Sequence, residues 1–375
     1  MAGIYIHVPF CARKCDYCDF YSVTTAEEKD RFANLIEMEL VLRKDYIPEK
    51  NIETIYFGGG TPSLLSAEQL SYILWAIRKQ YSVAEKAEIT LEANPDDLNE
   101  TYFKQLLSLG INRLSIGVQS FSDNDLQQLG RRHNASQAIN AVQIAYELGF
   151  ENISIDLIYG LPYSSTKIWK ENLQKAFELP VKHISCYHLI YEEGTPLFKR
   201  MKSGQINPVN EEKSVEQFEI LQQLALENGF IQYEISNLAK EGYFSRHNTS
   251  YWKQIHYIGV GPSAHSYNGI TREWNPKSVK LWSSSIQNGN ISAEKEVLTE
   301  KDHLNDYLLT SLRTMWGLDT AVIEKKFGVN ALEGVKKAAK KYVDLKIMEF
   351  NNGIIRILPR HFLTSDGIIS DFLVV

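Results

Sequence analysis

The sequence has no excess of positive charge and no long apolar segment. Its 40 Lys and Arg residues are outnumbered by 46 Asp and Glu residues, which gives a formal net charge of −6. A general electrostatic attraction to nucleic acid is therefore excluded, because such binding depends on clustered cations. No apolar run approaches the roughly 18 residues that a membrane span needs. We expect a cytoplasmic protein without an integral membrane segment.

Cysteine is scarce as well, with four in 375 residues. Three of them, Cys11, Cys15 and Cys18, stand close together, whereas Cys186 lies far along the chain. A secreted disulfide framework distributes its cysteines through a short chain, and this pattern does not resemble one. In a reducing compartment, clustered thiols more often hold a metal.

What the sequence does contain is a repeated alternation of short strands and helical segments. β-Branched or aromatic runs lie at 4–8, 52–57, 88–93, 113–118, 153–158 and 183–190. Segments of helical period lie at 27–43, 67–80, 136–148 and 211–227. These segments are long enough for crossover helices, so the strands should be parallel. Six such units are fewer than the eight of a closed barrel, and we predict an α/β fold built on a partial, TIM-like (β/α)6 barrel.

The chain divides into three regions on this pattern. Residues 1–235 carry the repeats and form the core domain, whereas residues 236–294 are less periodic and are interpreted as a connector. Residues 295–375 contain helical segments followed by an Asn-Asn-Gly turn between two strand-like arms, which predicts a smaller, mainly helical domain of winged-helix type. The helical segments lie at 301–313, 320–327 and 331–345. A basic face within them is better explained as a solvated surface than as a nucleic-acid site; it comprises Lys336, Lys337, Lys340 and Lys341.

Polar residues stand where the predicted strands end. The cysteine cluster follows the first strand, and Gly58-Gly59-Gly60-Thr61-Pro62 follows the second. Glu92, Gln119 and Asp156 belong to the third, fourth and fifth strands. The C-terminal strand ends of such a barrel share one rim, so these groups should converge there. Simple tight turns at the glycines and ion pairs at the carboxylates are the alternatives.

Three closely spaced thiols suit an iron–sulfur cluster better than zinc. Structural zinc takes four protein ligands, usually as two separated pairs, whereas C-x3-C-x2-C supplies one loop. Zinc completed by His7 or Cys186 remains an alternative. Three thiolates on a four-iron cluster leave one iron with an open position, which is what a metal needs in order to bind a substrate.

The C-x3-C-x2-C spacing, with an aromatic residue, Tyr17, before the third cysteine, resembles the signature of the radical S-adenosylmethionine (SAM) superfamily. The resemblance implies a [4Fe-4S] cluster on Cys11, Cys15 and Cys18 and a SAM molecule that binds the open iron through its amino and carboxylate groups. It also implies a low-potential electron donor, because an electron from the cluster cleaves the cofactor to a 5′-deoxyadenosyl radical.

Longer motifs resemble one group within that superfamily, the oxygen-independent coproporphyrinogen III oxidases and their haem-chaperone branch. These motifs are YIHVPFC, GGGTPS, LEANPDD, SIGVQSF, LGRRHN and IDLIYGLP. The resemblance implies that the residues in contact with SAM are Tyr5, Gly59, Gly60, Thr61, Glu92, Gln119, Arg131 and Asp156, with Tyr17 beside the cluster and Ile190 near the adenine. The chemistry is consistent, because glycines let a backbone approach the ligand, an arginine can fork onto a carboxylate and acids can accept from ribose hydroxyls.

Two departures favour the chaperone branch over the oxidases. The oxidases have a further cysteine two positions after the third, where this chain has Phe20, and a long segment before the cluster, where this chain has ten residues. The segment RHNTSYW is similar to an HNxxYW segment of the chaperone branch, which implies that His247 is an axial ligand of haem. For His256, His265 and Cys186, packing or a surface position is the favoured explanation, and an axial or accessory role at haem is the alternative.

The sequence therefore favours one function and leaves two others open. The favoured one is a haem chaperone that binds haem and passes it to an acceptor protein while carrying the cluster and SAM. The second is a radical SAM enzyme of the coproporphyrinogen oxidase type, and these residues do not decide whether the chain is an enzyme. The third is a zinc-stabilised α/β protein whose C-terminal module binds a partner.

Overall fold

The computed structural model describes residues 2–25 and 28–374. Its strands are β1 (Gly3–Val8), β2 (Asn51–Gly59), β3 (Ser82–Ala93), β4 (Arg113–Gln119), β5 (Asn152–Tyr159), β6 (His183–His188), β7 (Ile231–Gln232), β8 (Asn237–Ala239), β9 (Tyr257–Val260), β10 (His265–Tyr267), β11 (Thr271–Trp274), β12 (Glu294–Val297), β13 (Leu318–Asp319), β14 (Met348–Asn351) and β15 (Ile354–Ile357). Its helices are α1 (Phe32–Leu42), α2 (Ala67–Gln80), α3 (Glu100–Ser108), α4 (Asp123–Gln128), α5 (Ala135–Glu147), α6 (Thr166–Glu178), α7 (Pro196–Lys202), α8 (Glu211–Glu227), α9 (Arg246–Trp252), α10 (Val279–Gln287), α11 (Glu300–Leu312), α12 (Thr320–Asp344) and α13 (Ser365–Ser370). Short 3-10 helices lie at Pro62–Leu64, Pro95–Asp97 and Pro359–Thr364.

Within the described residues, one large sheet runs in the order β12-β11-β10-β9-β1-β2-β3-β4-β5-β6-β8-β7. Strands β1 to β6 are parallel and neighbour one another in chain order. Strand β9 joins the other edge of β1 in parallel, where Gly3 pairs with Tyr257. The end strands β12 and β7 do not pair with each other, so the barrel is open. The predicted partial barrel is confirmed.

Local signals in the chain account for the helix bounds. The Ser66 side chain accepts a hydrogen bond from the Gln69 backbone N–H at 3.3 Å, and the Gln69 side chain accepts one from the Ser66 backbone N–H. This pair of bonds starts α2 at Ala67, as predicted. The Asn210 side chain caps α8 in the same position, accepting from the Lys213 N–H at 3.0 Å. The predicted segment 27–43 corresponds to α1 from Phe32 onward, and Glu27 lies outside the described residues.

The C-terminal region has the predicted helices and hairpin. Helix α12 is interrupted at Gly328, whose φ of 85° is left-handed, so it consists of two helices as the sequence predicts. Strands β14 and β15 pair across Asn352 and Gly353, which have φ values of 48° and 79°. Positive φ at both central residues is the geometry of a type I′ hairpin turn, which Asn-Gly favours.

A buried polar network holds the segment that contains β9, β10, β11 and α10 against the barrel. Glu39 on α1 is fully buried and accepts from the Gly261 N–H at 2.8 Å, the Trp282 indole N–H at 2.8 Å and the Asn275 amide at 2.7 Å. Arg43, the residue directly after α1, pairs with Glu39 at 3.0 Å. Because the buried Glu39 carboxylate accepts all of these hydrogen bonds, the network fixes the position of residues 261–282 against α1.

Most buried apolar residues of the barrel and of the C-terminal helices form one core, and a smaller separate cluster contains Ile158 and Leu161. The larger core extends from Ile4 on β1 to Leu308 on α11 and Ile355 on β15. In the part of the chain that the structure describes, no helix is both long enough and apolar enough to cross a bilayer.

Candidate functional site

The loops after β1 and β2 meet through their backbones at the carboxyl end of the sheet. The Gly60 N–H donates to the Val8 carbonyl oxygen at 2.7 Å. A side chain is excluded at Gly60, because a Cβ atom there would lie 2.8 Å from the Phe10 carbonyl oxygen. The predicted glycine run therefore holds the cysteine loop directly against the loop that follows β2.

Two hydrogen-bond donors point at the cysteine sulfurs. The Thr61 hydroxyl donates to Cys11 Sγ at 3.3 Å, and the Arg131 guanidinium donates to Cys15 Sγ at 3.4 Å. Burial raises the pKa of the Cys18 thiol to about 11, and the neighbouring Cys15 and Cys11 add to that shift. A thiolate at Cys18 therefore needs a positive centre beside it.

The zinc alternative finds no support in this geometry. Across residues 2–25 and 28–374, no three His, Cys, Asp or Glu side chains, Cys11, Cys15 and Cys18 included, are arranged to hold a single metal ion. His7 hydrogen-bonds through Nε2 to the Tyr21 carbonyl oxygen at 2.9 Å and through Nδ1 to the Tyr5 hydroxyl at 3.3 Å. Cys186 is buried in the core on β6. Three thiols with hydroxyl and guanidinium donors beside them fit a larger, sulfide-containing cluster, because such donors stabilise its sulfur atoms.

Arg131 joins the cysteine loop to the ends of β3 and β4. Its Nη2 donates to Asn94 Oδ1 at 2.6 Å and to the Gly117 carbonyl oxygen at 2.7 Å, beside the bond to Cys15. Its Nε is buried and has no hydrogen-bond partner among the described residues. A fixed guanidinium with a donor to spare, next to three thiols, suits a carboxylate ligand.

Gln119 ends β4 in a conformation that non-glycine residues rarely adopt. Its φ is 68°, and the register of β4 with β5 shifts between Ile116 and Gln119. Such backbone strain costs on the order of 1–3 kcal/mol and is concentrated at ligand sites. This backbone strain distinguishes Gln119 from an ordinary residue at the end of a strand.

Glu92 is a half-buried carboxylate near the end of β3. It accepts the Tyr56 hydroxyl at 2.7 Å and the Gly59 backbone N–H at 3.2 Å. Burial raises its pKa to about 7, and the nearby Asp156 carboxylate raises it further, against the hydrogen bond from Tyr56. At neutral pH this group is poised between its two protonation states.

Asp156 on β5 and the buried Arg113 on β4 complete this group. Burial raises the pKa of Asp156, which accepts the Ser115 hydroxyl at 3.4 Å. The Arg113 charge lowers the pKa of both Asp156 and Glu92, yet neither carboxylate forms a direct ion pair within the described residues. The Arg113 Nε and Nη1 atoms are buried without partners there. The ion-pair alternative is therefore not realised, and both carboxylates keep acceptor capacity for a ligand.

Three further predicted residues lie at different places around the rim. Tyr5 on β1 stacks on Tyr56 at a centroid distance of 6.0 Å. Tyr17 packs against a small apolar cluster that includes Leu129 and Leu161. Ile190 lies beyond the end of β6 and is 64% exposed, and none of the contacts described here joins it to the other predicted residues.

His247 lies below the rim, inside the protein. It is 2% exposed, and hydrogen bonds join its Nδ1 to Thr54 Oγ1 and its Nε2 to the Tyr251 hydroxyl, both at 2.8 Å. Tyr56 stacks on its ring at 5.0 Å. Burial, and then the charge of Arg113, lower its pKa to about 3. His247 is thus a neutral, fully engaged imidazole, and its predicted role as a haem ligand requires a rearrangement of these contacts.

A cavity of about 540 Å³ opens beside the cysteine loop, on the side of the added strands. Its lining includes Tyr5 from β1, Phe20 from the cysteine loop, Tyr251 from α9 and Tyr267 from β10. Its size falls within the range of about 300–1,000 Å³ that is usual for cofactor sites. Through Tyr5, this cavity borders the group of predicted SAM-contacting residues.

Sequence reasoning missed several residues that organise the site. Tyr56 and Asn94 each stand within or beside a quoted motif and could have been found from their positions at strand ends. Arg113 is the one charged residue of β4, and its place in a strand that is buried along most of its length was the sign that its charge would be buried. The tyrosines of the cavity come from segments far apart in the chain, and no local pattern joins them.

Three clustered thiols at the rim of an open, parallel α/β barrel define a radical SAM protein, and a model of the radical SAM superfamily matches residues 5–183. A model of the HemN C-terminal domain matches residues 298–361. The chain is 35% identical to the heme chaperone HemW of Bacillus subtilis over 338 residues, which are 89% of each chain. It is 39% identical to the heme chaperone HemW of Haemophilus influenzae over 358 residues, which are 92% of this chain and 90% of that protein. The chain therefore belongs to the radical SAM superfamily and, within it, to the family of the HemW proteins.

A solved structure shows the same fold. Coproporphyrinogen III oxidase (HemN) from Escherichia coli superimposes with a TM-score of 0.86 over 99% of this chain and 90% of that one, at 21% sequence identity. The predicted partial barrel with a smaller C-terminal helical region is thereby confirmed.

Proposed function

We propose that this protein is a haem chaperone that binds haem, passes it to an acceptor protein and carries a [4Fe-4S] cluster with exchangeable SAM. The observation that carries the proposal is the position of an aromatic cavity of about 540 Å³ directly beside the three-thiol loop. The names of its relatives support the same reading, because those at 35% and 39% identity are heme chaperones.

The cluster would be held by Cys11, Cys15 and Cys18. The donors from Thr61 and Arg131 support this assignment, because hydrogen bonds to sulfur stabilise a cluster's charge. With three protein ligands, one iron remains open to SAM, and the bound cluster supplies the electron that the cofactor's sulfonium can accept. A low-potential electron donor must reduce the cluster.

SAM would lie across the strand ends next to that iron. The Arg131 guanidinium suits its carboxylate, and Gly59, Gly60 and Thr61 line the path of its amino group. Glu92 and Asp156 are the acceptors for its remaining polar groups, and their acceptor capacity at the rim supports that role. Tyr5, Tyr17, Gln119 and Ile190 complete the proposed contacts, with Ile190 near the adenine.

Haem would lie in the neighbouring cavity, whose aromatic side chains offer the flat apolar walls that a porphyrin needs. The similarity of RHNTSYW to the HNxxYW segment makes His247 one candidate for its axial ligand. That role would require the ring to give up its hydrogen bond to Tyr251 and to become accessible.

The proposal is tested with protein whose cluster has been reconstituted anaerobically. We expect haemin titration to give a Soret band that saturates near one haem per chain, and bound haem to move to apomyoglobin, used as a model acceptor. We also expect SAM to change the electron paramagnetic resonance spectrum of the reduced protein. Failure to bind haem would refute the chaperone function, and failure of the spectrum to respond would refute the cluster and SAM assignment.

The coproporphyrinogen oxidase reaction is the alternative function, and the same preparation tests it. Coproporphyrinogen III is incubated with SAM and a reductant, and 5′-deoxyadenosine and the decarboxylated porphyrinogen are measured. We expect neither product above the level of a control without coproporphyrinogen. Formation of both products together would establish an enzyme instead.

A further inference from the structure

The cavity beside the cysteine loop has walls that suit a large planar ligand. Tyr251 packs edge-on against Tyr257 at a centroid distance of 4.6 Å, and Tyr257 lies 6.5 Å from Tyr267. Phe20 faces them from the cysteine loop, and its side chain is 63% exposed. An aromatic side chain this exposed inside a cavity loses water contact favourably when a flat apolar ligand covers it.

One histidine of this cavity is available for a ligand. His265 on β10 is exposed, and its side chain forms no hydrogen bond with any residue that the structure describes. Its ring stacks on Trp274 at 6.0 Å with the two planes 26° apart, which restrains its orientation. The imidazole is thus positioned by stacking while both nitrogens stay free.

The other candidate histidines are engaged. His247 uses both ring nitrogens inside the protein and does not line the cavity. His7 does line it, but its nitrogens contact the Tyr21 carbonyl and the Tyr5 hydroxyl. His256 pairs with Glu49 at 3.0 Å. A metal inside the cavity therefore meets its most accessible imidazole at His265.

The charges that line the cavity are distributed unevenly. Arg272 is neutralised by Asp306 and by Glu296, the latter at 3.5 Å. Lys277 is exposed and has no ion pair among the described residues, and the remaining charged lining residue is Asp19. A ligand that combines a flat apolar body with an anionic edge matches tyrosine walls and one free cation.

We infer that haem occupies this cavity with His265 as a ligand of its iron and with one propionate at Lys277. This inference rests on the proposed haem-binding function and adds the ligand and the orientation. His247 then acts as a structural residue that holds Tyr251, one of the cavity walls, through its Nε2 hydrogen bond. The haem edge lies next to the cysteine loop, because Asp19, Phe20 and Tyr21 form part of the same cavity.

The test compares two porphyrins on the reconstituted full-length protein, haemin and metal-free protoporphyrin IX. The substitution His265→Ala is expected to weaken haemin binding by about tenfold or more, the size of effect typical of losing metal-site interactions, and to shift the Soret band. Binding of protoporphyrin IX, followed by fluorescence, should change by less than about twofold, because that ligand has no iron to coordinate. Added imidazole should restore the Soret position of the variant.

Three controls make the result decisive. His256→Ala, at a histidine outside the cavity, should leave both porphyrins unaffected. Lys277→Glu should weaken both porphyrins but not haemin dimethyl ester, which lacks the anionic edge. Circular dichroism should show that His265→Ala is folded, as expected for an exposed residue.

Equal losses of haemin and protoporphyrin IX in His265→Ala would assign the residue a packing role and overturn the inference. An unchanged haemin titration would overturn it as well, and a Soret shift found in His247→Gln alone would assign the iron ligand to His247. If the wild-type protein binds no haem, the proposed function itself fails and this site fails with it.

Discussion

The buried position of His247 makes a prediction about acid stability that does not depend on any ligand. The folded protein holds its pKa at about 3, against 6.5 for a histidine in an unfolded chain. Between these two pKa values the ring is protonated in the unfolded chain but neutral in the folded one. Its contribution to the stability of the fold is therefore fully present above pH 6.5. That contribution is lost as the pH falls from 6.5 towards 3.

The magnitude follows from the size of the pKa shift. At 1.36 kcal/mol per pH unit, the contribution lost between pH 6.5 and pH 4 is about 3 kcal/mol. His247→Gln removes the titrating ring and should itself cost about 1–3 kcal/mol at pH 7, because a buried hydrogen bond to Thr54 or Tyr251 is lost. Wild type should lose its greater stability on acidification, and at pH 4 the variant should be as stable as wild type or up to about 2 kcal/mol more stable.

The assay is urea unfolding followed by tryptophan fluorescence at pH 7, 6, 5 and 4. Other buried histidines, such as His7 and His183, titrate in both proteins and cancel in the difference. Thr54→Val is the matched control, because it removes a hydrogen bond of His247 but keeps the ring, so its profile should run parallel to wild type. If the wild type and His247→Gln profiles are also parallel, the ring is not held neutral and the reasoning is wrong.

Three further predictions concern the proposed cluster and SAM sites. Cys15→Ala should abolish the visible absorption of the reconstituted cluster but keep the helical circular dichroism, because the thiol lies in a half-buried loop. The control variant Cys186→Ala should keep the absorption. Loss of all helical signal in Cys15→Ala would point to a structural metal instead. Glu92→Gln should weaken SAM binding by roughly 10- to 100-fold in calorimetry, because charged hydrogen bonds contribute about 1.5–3 kcal/mol, whereas the surface change Glu100→Gln should have no effect. Arg113→Met removes the cation that lowers the pKa of Glu92, so that pKa should rise above about 7. The SAM dissociation constant should then reach its low plateau only at a higher pH than in wild type. Identical pH profiles of the two proteins would show that the Arg113 charge does not act on Glu92.

Much of the barrel was predictable because its signals are local. Strands β1 to β6 each contain short apolar runs that are buried. The side chains of Ser66 and Asn210 cap the helices α2 and α8, which begin at the next residue. The turn at Asn352 and Gly353 follows from two residues that tolerate positive φ. Each of these features depends on neighbours in sequence, which a pattern can reveal.

The segment between 236 and 294 was not predictable in the same way. Strands β9, β10 and β11 are three or four residues long, too short to show a period, and they form because β1 offers an edge and Glu39 offers partners. The residues of the candidate site differ in the same way in how predictable they were. The cysteines, the glycines and Glu92 were visible as motifs, whereas the engagement of His247 by Thr54 and the freedom of His265 depend on contacts between distant segments.

The pairing of β9 with β1 also sets an order of events during synthesis. Gly3 must wait for Tyr257, and at roughly 5–20 residues per second the ribosome needs on the order of tens of seconds to deliver it. Through that interval one side of the first strand offers unsatisfied amides and carbonyls to any other nascent chain. A chain truncated before Tyr257 would leave that side open permanently, so it should aggregate where a chain that includes β9 does not.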